Sequence, residues 1–269
     1  PEDLRRILDL AKEQKPLARR HELPHSHPNR TLACVFAKPS LRTRISFETA
    51  MMQLGGNSLF ITDKEIGLGV RESIYDVAKV MSRFVDGIMI RWFDDGEVVE
   101  LAKHADVPVI NGLTDLLHPC QVMGDILTVE EHLGSIENKT VCMVGDGNNL
   151  ANSWINASRR FGFNFVLACP EGYEPNEDIM NAAEKDGASF CVMNDPQEAV
   201  EGAHVIYSDA FYSMGQEEEA IKRRADFAPF QITTDLLKAA HEKHVVLHCL
   251  PAHRGEEITD EVMDGPHSV

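Results

Sequence analysis

Positive charge is scarce in this sequence: 26 lysines and arginines stand against 43 aspartates and glutamates, a formal net charge of −17. Nucleic acid and anionic membrane surfaces recruit proteins through a basic footprint, so neither is an expected partner, and any anionic ligand must be met by arginines gathered locally. No apolar run approaches the ~18 residues needed to cross a bilayer. The opening PEDLRRILDLAKEQK is a charged amphipathic helix rather than a secretory leader. The expectation is a soluble, cytoplasmic protein. CxxC spacing is also missing: Cys34, Cys120, Cys142, Cys169, Cys191 and Cys249 are scattered, five of them in apolar runs such as LACVF and VLHCL. That pattern points to buried reduced thiols. There is no internal repeat, low-complexity tract or long linker.

What is present is a rhythm. At 269 residues and 43% hydrophobic content the chain can build two domains with real cores. Short apolar runs at 31–37, 57–62, 87–93 and 107–112 alternate with helical-period segments around 42–54, 72–85 and 97–105. After a helix near 120–134, closed by Gly134, the rhythm restarts with runs at 140–146, 164–170, 188–193, 204–211 and 245–251. NNLANSWINASRRFG, EDIMNAAEKDG and TDLLKAAHEKH read as helices between them. Alternation of this kind signals βαβ units. The predicted fold class is α/β: two doubly wound parallel-sheet domains, residues 1–134 and 135–269, with the active site in the cleft at the carboxyl ends of their strands.

Motifs that follow strands therefore carry the most weight. After the first comes Lys38-Pro39-Ser40-Leu41-Arg42-Thr43-Arg44, with Ser40 where an N-cap belongs and Ile45, Phe47, Met51 and Leu54 at helical spacing behind it. A helix N-terminus with unpaired N–H groups, two hydroxyls and two guanidiniums is suited to phosphate. Taken alone, an ordinary capped helix with solvated arginines reads the same way.

The tetrapeptide His118-Pro119-Cys120-Gln121 stands at a later strand-to-helix turn. A histidine there can donate to a developing oxyanion, and Gln121 can hold an amide. Alone, a His-Pro pair is more often a plain helix start, and Arg91, at the end of GIMIRWF, is similarly ambiguous.

Gly145-Asp146-Gly147-Asn148-Asn149 opens a helix after a strand, as a dinucleotide fingerprint does. The third glycine is missing, and Ala168-Cys169-Pro170 stands where an acidic ribose partner belongs. No nicotinamide or other cofactor is expected. Asn149 suits an amino acid's carboxylate or ammonium, and Asp209, ending HVIYSDAF, reads as an amine anchor. Cys249 could lie beside the reacting amine. Zinc at His248, Cys249 and His253 is disfavoured, because consecutive strand residues point to opposite faces. His25-Ser26-His27 reads as a polar connector, and Glu217-Glu218-Glu219 as the start of a solvated helix.

Together, Ser40-Leu41-Arg42-Thr43-Arg44, Arg91, His118-Pro119-Cys120-Gln121, Asp146-Gly147-Asn148-Asn149, Ser213-Met214-Gly215 and His248-Cys249-Leu250-Pro251 resemble the ornithine carbamoyltransferases, in order along nearly the whole chain. Aspartate carbamoyltransferases usually show His-Pro-Thr-Gln and His-Pro-Leu-Pro at two of these places. The resemblance implies transfer of a carbamoyl group from carbamoyl phosphate to the side-chain amine of L-ornithine, giving L-citrulline and phosphate. It implies that Ser40, the Leu41 backbone, Arg42, Thr43 and Arg91 bind phosphate, while His118, Gln121, Cys249 and the Leu250 carbonyl hold the carbamoyl group. Asn149, Asp209, Ser213 and the Met214 backbone would hold ornithine, and Arg91, His118, Asp209 and Cys249 would carry the chemistry. Arg44 would be a structural ion-pair partner.

The resemblance further implies a homotrimer in which the segment Ile66–Ser73 reaches a neighbouring subunit. Relatives carry glutamine or histidine where this chain has Gly67, and threonine or methionine in place of Leu41. They also continue past a segment like Asp264–Val269 with a helix returning to the first domain. A carbamoyltransferase for putrescine or acylated ornithine, a catalytically silent relative with a binding role, and a dehydrogenase on a shared fold are the rival readings.

Overall fold

A computed structural model describes residues 2–212 and 219–269. By the density of internal contacts the chain divides into two units, Glu2–Cys120 and Gln121–Val269.

The first unit opens with α1 (Glu2–Arg19) and continues β1 (Thr31–Phe36), α2 (Leu41–Gln53), β2 (Asn57–Thr62), α3 (Asp63–Ile66), α4 (Ile74–Phe84), β3 (Gly87–Arg91), α5 (Asp95–His104) and β4 (Val109–Leu113). Its strands are all parallel in the order β2-β1-β3-β4. Parallel sheets must be covered on both faces, so their strands cannot alternate apolar and polar. β1 meets that demand. Ala33 and Val35 pack with Ile88 and Ile90 of β3 beneath α4 and α5, while Leu32, Cys34 and Phe36 pack with Met89 against Phe47 and Met51 of α2. No residue of α2 is fully buried, and Ile45, expected at core spacing, is exposed because it stands off the Phe47–Met51 stripe.

Helix α6 (Pro119–Leu133) starts with proline at its first position, where the missing N–H costs nothing. The second unit then runs β5 (Thr140–Val144), α7 (Asn149–Phe161), β6 (Asn164–Ala168), α8 (Glu177–Lys185), β7 (Phe190–Met193), α9 (Pro196–Val200), β8 (Val205–Ser208), α10 (Ala220–Phe227), β9 (Val245–His248) and α11 (Asp260–Met263). Its five strands are parallel in the order β7-β6-β5-β8-β9. Cys142, Val144, Ile206 and Val246 build one face with Phe211, Phe227 and Ile232. Trp154 of α7 is fully buried, with Phe163 and Tyr207 edge-on at 5.6 Å.

Two expectations are corrected. TDLLKAAHEKH forms only a 3-10 turn, Leu236–Ala239, because Ala240 is extended and the His241 N–H pairs with the Ala203 carbonyl, which draws the chain back toward β9. Cys191, expected to be buried, is exposed because β7 is the edge strand. All six thiols are free. Among the described residues no helix is long and apolar enough to cross a membrane.

Candidate active site

In each sheet the chain reverses its winding direction beside a central strand, and ligands of open α/β sheets gather at the carboxyl ends of the strands there. In the first unit that place lies between β1 and β3, where Phe36 and Arg91 are in register. Ser40, leaving β1, caps α2: its φ of −156° is extended, and its Oγ accepts from the Thr43 N–H at 3.3 Å. The Ser40 and Thr43 hydroxyls are 3.0 Å apart, and Arg91 donates through Nη1 to Thr43 Oγ1 at 3.3 Å. Arg91 is only 8% exposed, so this guanidinium is held rigidly at the head of the helix. Leu41 and Arg42 are exposed and occupy the first positions of α2, where backbone N–H groups precede the first intrahelical acceptors. The structure thus gathers Ser40, Leu41, Thr43 and Arg91 around one helix N-terminus. Arg44 instead pairs with Glu48 at 2.9 Å and lies over the Phe60 ring. Lys38 pairs with Asp115 and lies over Phe93.

His118 immediately precedes α6, after a turn in which Thr114 and Leu117 hydrogen-bond each other through N–H, carbonyl and hydroxyl groups. Cys120 donates to the Asn111 carbonyl, and burial pushes its thiol up to about 11. Gly67 adopts a left-handed φ of 57° as the C-cap of α3, and a Cβ there would sit 2.6 Å from Arg71 Cβ. A residue with a Cβ therefore does not fit this turn without rearrangement.

In the second unit the reversal lies between β5 and β8. Asn148, leaving β5, caps α7 by accepting from the N–H groups of Leu150 at 2.9 Å and Ala151 at 3.3 Å. With its acceptor end so committed, its Nδ2 donates to Asp209 Oδ2 at 3.0 Å. The other Asp209 oxygen accepts from Cys249 Sγ at 2.9 Å and from the Ala210 N–H at 2.8 Å. Burial first and the Asp209 charge second push the Cys249 thiol well up, so it stays protonated and donates. The structure brings Asp209 and Cys249 together. Asn149 begins α7 beside the cap, and Ser213 and Met214 lie outside the described residues.

Leu250 follows with φ 56°, a left-handed conformation rare for a branched side chain and typical of positions fixed for function. Its N–H donates to His248 Nδ1 at 2.9 Å. The His248 proton therefore sits on Nε2, which donates to Glu257 Oε1 at 3.1 Å. The side chains of His248 and Glu257 are buried, so the two together lock the Leu250 peptide. Both nitrogens of His248 are thus occupied, and no group of three potential metal ligands occurs among the described residues.

Sequence reasoning passed over three groups here. Asn148 was masked by its neighbour Asn149, and Asp125 and Tyr207 looked like an ordinary helix residue and an ordinary strand aromatic. Asp125 accepts from Gln121 Nε2 at 2.9 Å, and burial raises it to about 7. Gly147 proves to be a packing glycine: its N–H donates to the Tyr173 carbonyl at 2.9 Å, and a Cβ would come within 2.4 Å of the Glu174–Pro175 backbone. The N–H that a dinucleotide phosphate would use is taken by the chain's own loop.

Comparison with known proteins matches residues 1–131 to the carbamoyl-phosphate-binding domain of the aspartate/ornithine carbamoyltransferases and residues 137–269 to their aspartate/ornithine-binding domain. An ornithine carbamoyltransferase of Syntrophotalea carbinolica is 50% identical over 268 residues, covering 100% of this chain and 89% of that protein. The anabolic ornithine carbamoyltransferase of Pseudomonas aeruginosa is 48% identical, covering 100% of this chain and 87% of that one. The structure of ornithine carbamoyltransferase from Pyrococcus furiosus superimposes with a TM-score of 0.95 at 47% identity, over 100% of this chain and 87% of that one. Two parallel α/β sheets of four and five strands are thus the fold of these relatives, and the chain belongs to the aspartate/ornithine carbamoyltransferase family.

Proposed function

We propose that the protein transfers the carbamoyl group of carbamoyl phosphate to the side-chain amine of L-ornithine, releasing L-citrulline and phosphate in arginine biosynthesis. The observation that carries the choice of acceptor is the Cys249–Asp209 contact. An ammonium needs an anion, and Asp209 is oriented by three donors yet keeps acceptor capacity on Oδ2, since a carboxylate offers about four lone-pair sites. Residues 1–134 carry the phosphate site of carbamoyl phosphate and residues 135–269 carry the ornithine site.

Ser40, the Leu41 N–H, Arg42, Thr43 and Arg91 take the phosphate. His118, Gln121, Cys249 and the Leu250 carbonyl hold the carbamoyl group, and Asn149, Asp209, Ser213 and the Met214 backbone hold ornithine. The neutral amine nitrogen attacks the carbamoyl carbon, His118 and Arg91 stabilise the oxyanion, and the bond from carbon to the bridging oxygen breaks as phosphate leaves toward the helix. A side-chain amine is almost wholly protonated at neutral pH. Asp209 and the neutral Cys249 thiol must therefore bind the ammonium and let it lose a proton before attack.

A cytoplasmic homotrimer is part of the same reading. What supports association is the exposure of Leu41, Ile45, Met52, Leu59 and Phe60 on the neighbouring elements α2 and β2. Steady-state kinetics separates the two half-sites. Ser40→Ala should raise the KM for carbamoyl phosphate about tenfold with little change in that for ornithine, and Asp209→Asn should do the reverse with a large loss of kcat. Equal effects on both substrates would contradict the assignment.

A further inference from the structure

Gln121 is a flexible amide with two unlike ends, and only one of them can recognise a carbamoyl –NH2. What selects that end lies one turn further along α6. Asp125 stands at i+4 on the same face, and its Oδ1 accepts from Gln121 Nε2 at 2.9 Å. Asp125 is 7% exposed, and its Oδ2 is fully buried. The Tyr207 hydroxyl of β8 faces it within interaction range, though short of well-formed hydrogen-bond geometry. The other charged group acting on Asp125 is Asp209 after β8, and Asp125 in turn acts on Cys249 after β9. A buried carboxylate in such company is costly unless its bonds do something specific.

We propose that Asp125 is a positioning residue: by engaging the –NH2 end of Gln121 it leaves the Gln121 carbonyl as the end offered to ligand, and so makes the site select a carbamoyl over an acyl donor. The inference rests on Gln121 holding the carbamoyl group. Acetyl phosphate has the same shape, but its methyl group donates nothing and leaves that carbonyl unsatisfied. The arrangement is also pH-dependent. A protonated Asp125 can donate to the Gln121 carbonyl, which turns the amide round. Burial, the largest influence, raises Asp125 to about 7, so selectivity falls as pH drops through that range.

The test compares the wild type, Asp125→Asn, Gln121→Ala and the double variant as full chains. The readouts are kcat/KM for carbamoyl phosphate in citrulline formation and the competitive inhibition constant of acetyl phosphate. Asparagine fills the same volume but can present either end to Gln121. Asp125→Asn should lower kcat/KM for carbamoyl phosphate about tenfold, the equivalent of a hydrogen bond worth about 1.4 kcal/mol. Acetyl phosphate inhibition should stay within about twofold, because no donor is involved. In the Gln121→Ala background the second substitution should add almost nothing. The thermal midpoint of Asp125→Asn should not fall at pH 8, since a buried ionised group is replaced by a neutral one. Parallel loss for both phosphates, additive losses in the double variant, or an unaltered kcat/KM would overturn the inference. A wild type that forms no citrulline would contradict the proposed function itself.

Discussion

One proton lies between Cys249 and Asp209, and burial of the thiol assigns it to sulfur. That fixes the direction in which a change at Cys249 moves the enzyme. Cys249→Ala removes one of three donors to Asp209 and frees acceptor capacity on Oδ1, so the carboxylate holds the substrate ammonium more firmly. The acid limb of kcat, which reports the enzyme–ornithine complex, should therefore move to higher pH, by up to about one unit. Cys249→Ser, which restores an O–H donor, should return it close to the wild-type position. An unmoved limb in the alanine variant would remove Cys249 from the acceptor site. Asp209 and Cys249 were legible in the sequence because each follows an apolar strand. Asn148, Asp125 and Tyr207 were not, since the roles of Asp125 and Tyr207 come from burial and that of Asn148 from a partner far along the chain: Asn148 is 61 residues from Asp209.

At the scale of elements, the second unit depends on an ion pair that ties β5 to α10. Arg223 donates through Nη1 to Asp146 Oδ2 at 2.9 Å and to the Phe211 carbonyl at 3.0 Å, and both charged residues are buried. Removing one partner of a buried pair strands the other, so Arg223→Met should cost about 3–5 kcal/mol in denaturant unfolding. Burial already raises Asp146 even with Arg223 present. Without the arginine its folded value rises further above the unfolded one, so the stability deficit should shrink as pH falls and Asp146 protonates. A deficit below about 1 kcal/mol, the range of exposed pairs, would mean that the pair is not holding the fold. The strands were readable as apolar runs because a doubly covered parallel sheet leaves no polar face. TDLLKAAHEKH misled because its alanines and leucines favour a helix locally, whereas the His241–Ala203 backbone bond decides the matter from outside the segment.

For the whole molecule, two questions meet: assembly and acceptor. The exposed apolar residues of α2 and β2 predict association, and sedimentation should give a mass near three chains of 30.0 kDa. Leu59→Glu and Phe60→Glu together should shift it toward the monomer, whereas a monomeric wild type would leave that surface unexplained. The acceptor is the central claim, and fold alone does not fix it. The most direct measurement supplies the chain with carbamoyl phosphate and, separately, L-ornithine, L-aspartate, putrescine and acylated ornithine, and follows the carbamoylated product and phosphate. The account predicts citrulline and phosphate in equal amounts with ornithine, and turnover at least about a hundredfold slower with the others, as expected when a site's charged groups are left unpaired. Comparable or faster turnover of aspartate, putrescine or acylated ornithine, or no product from ornithine, would contradict it.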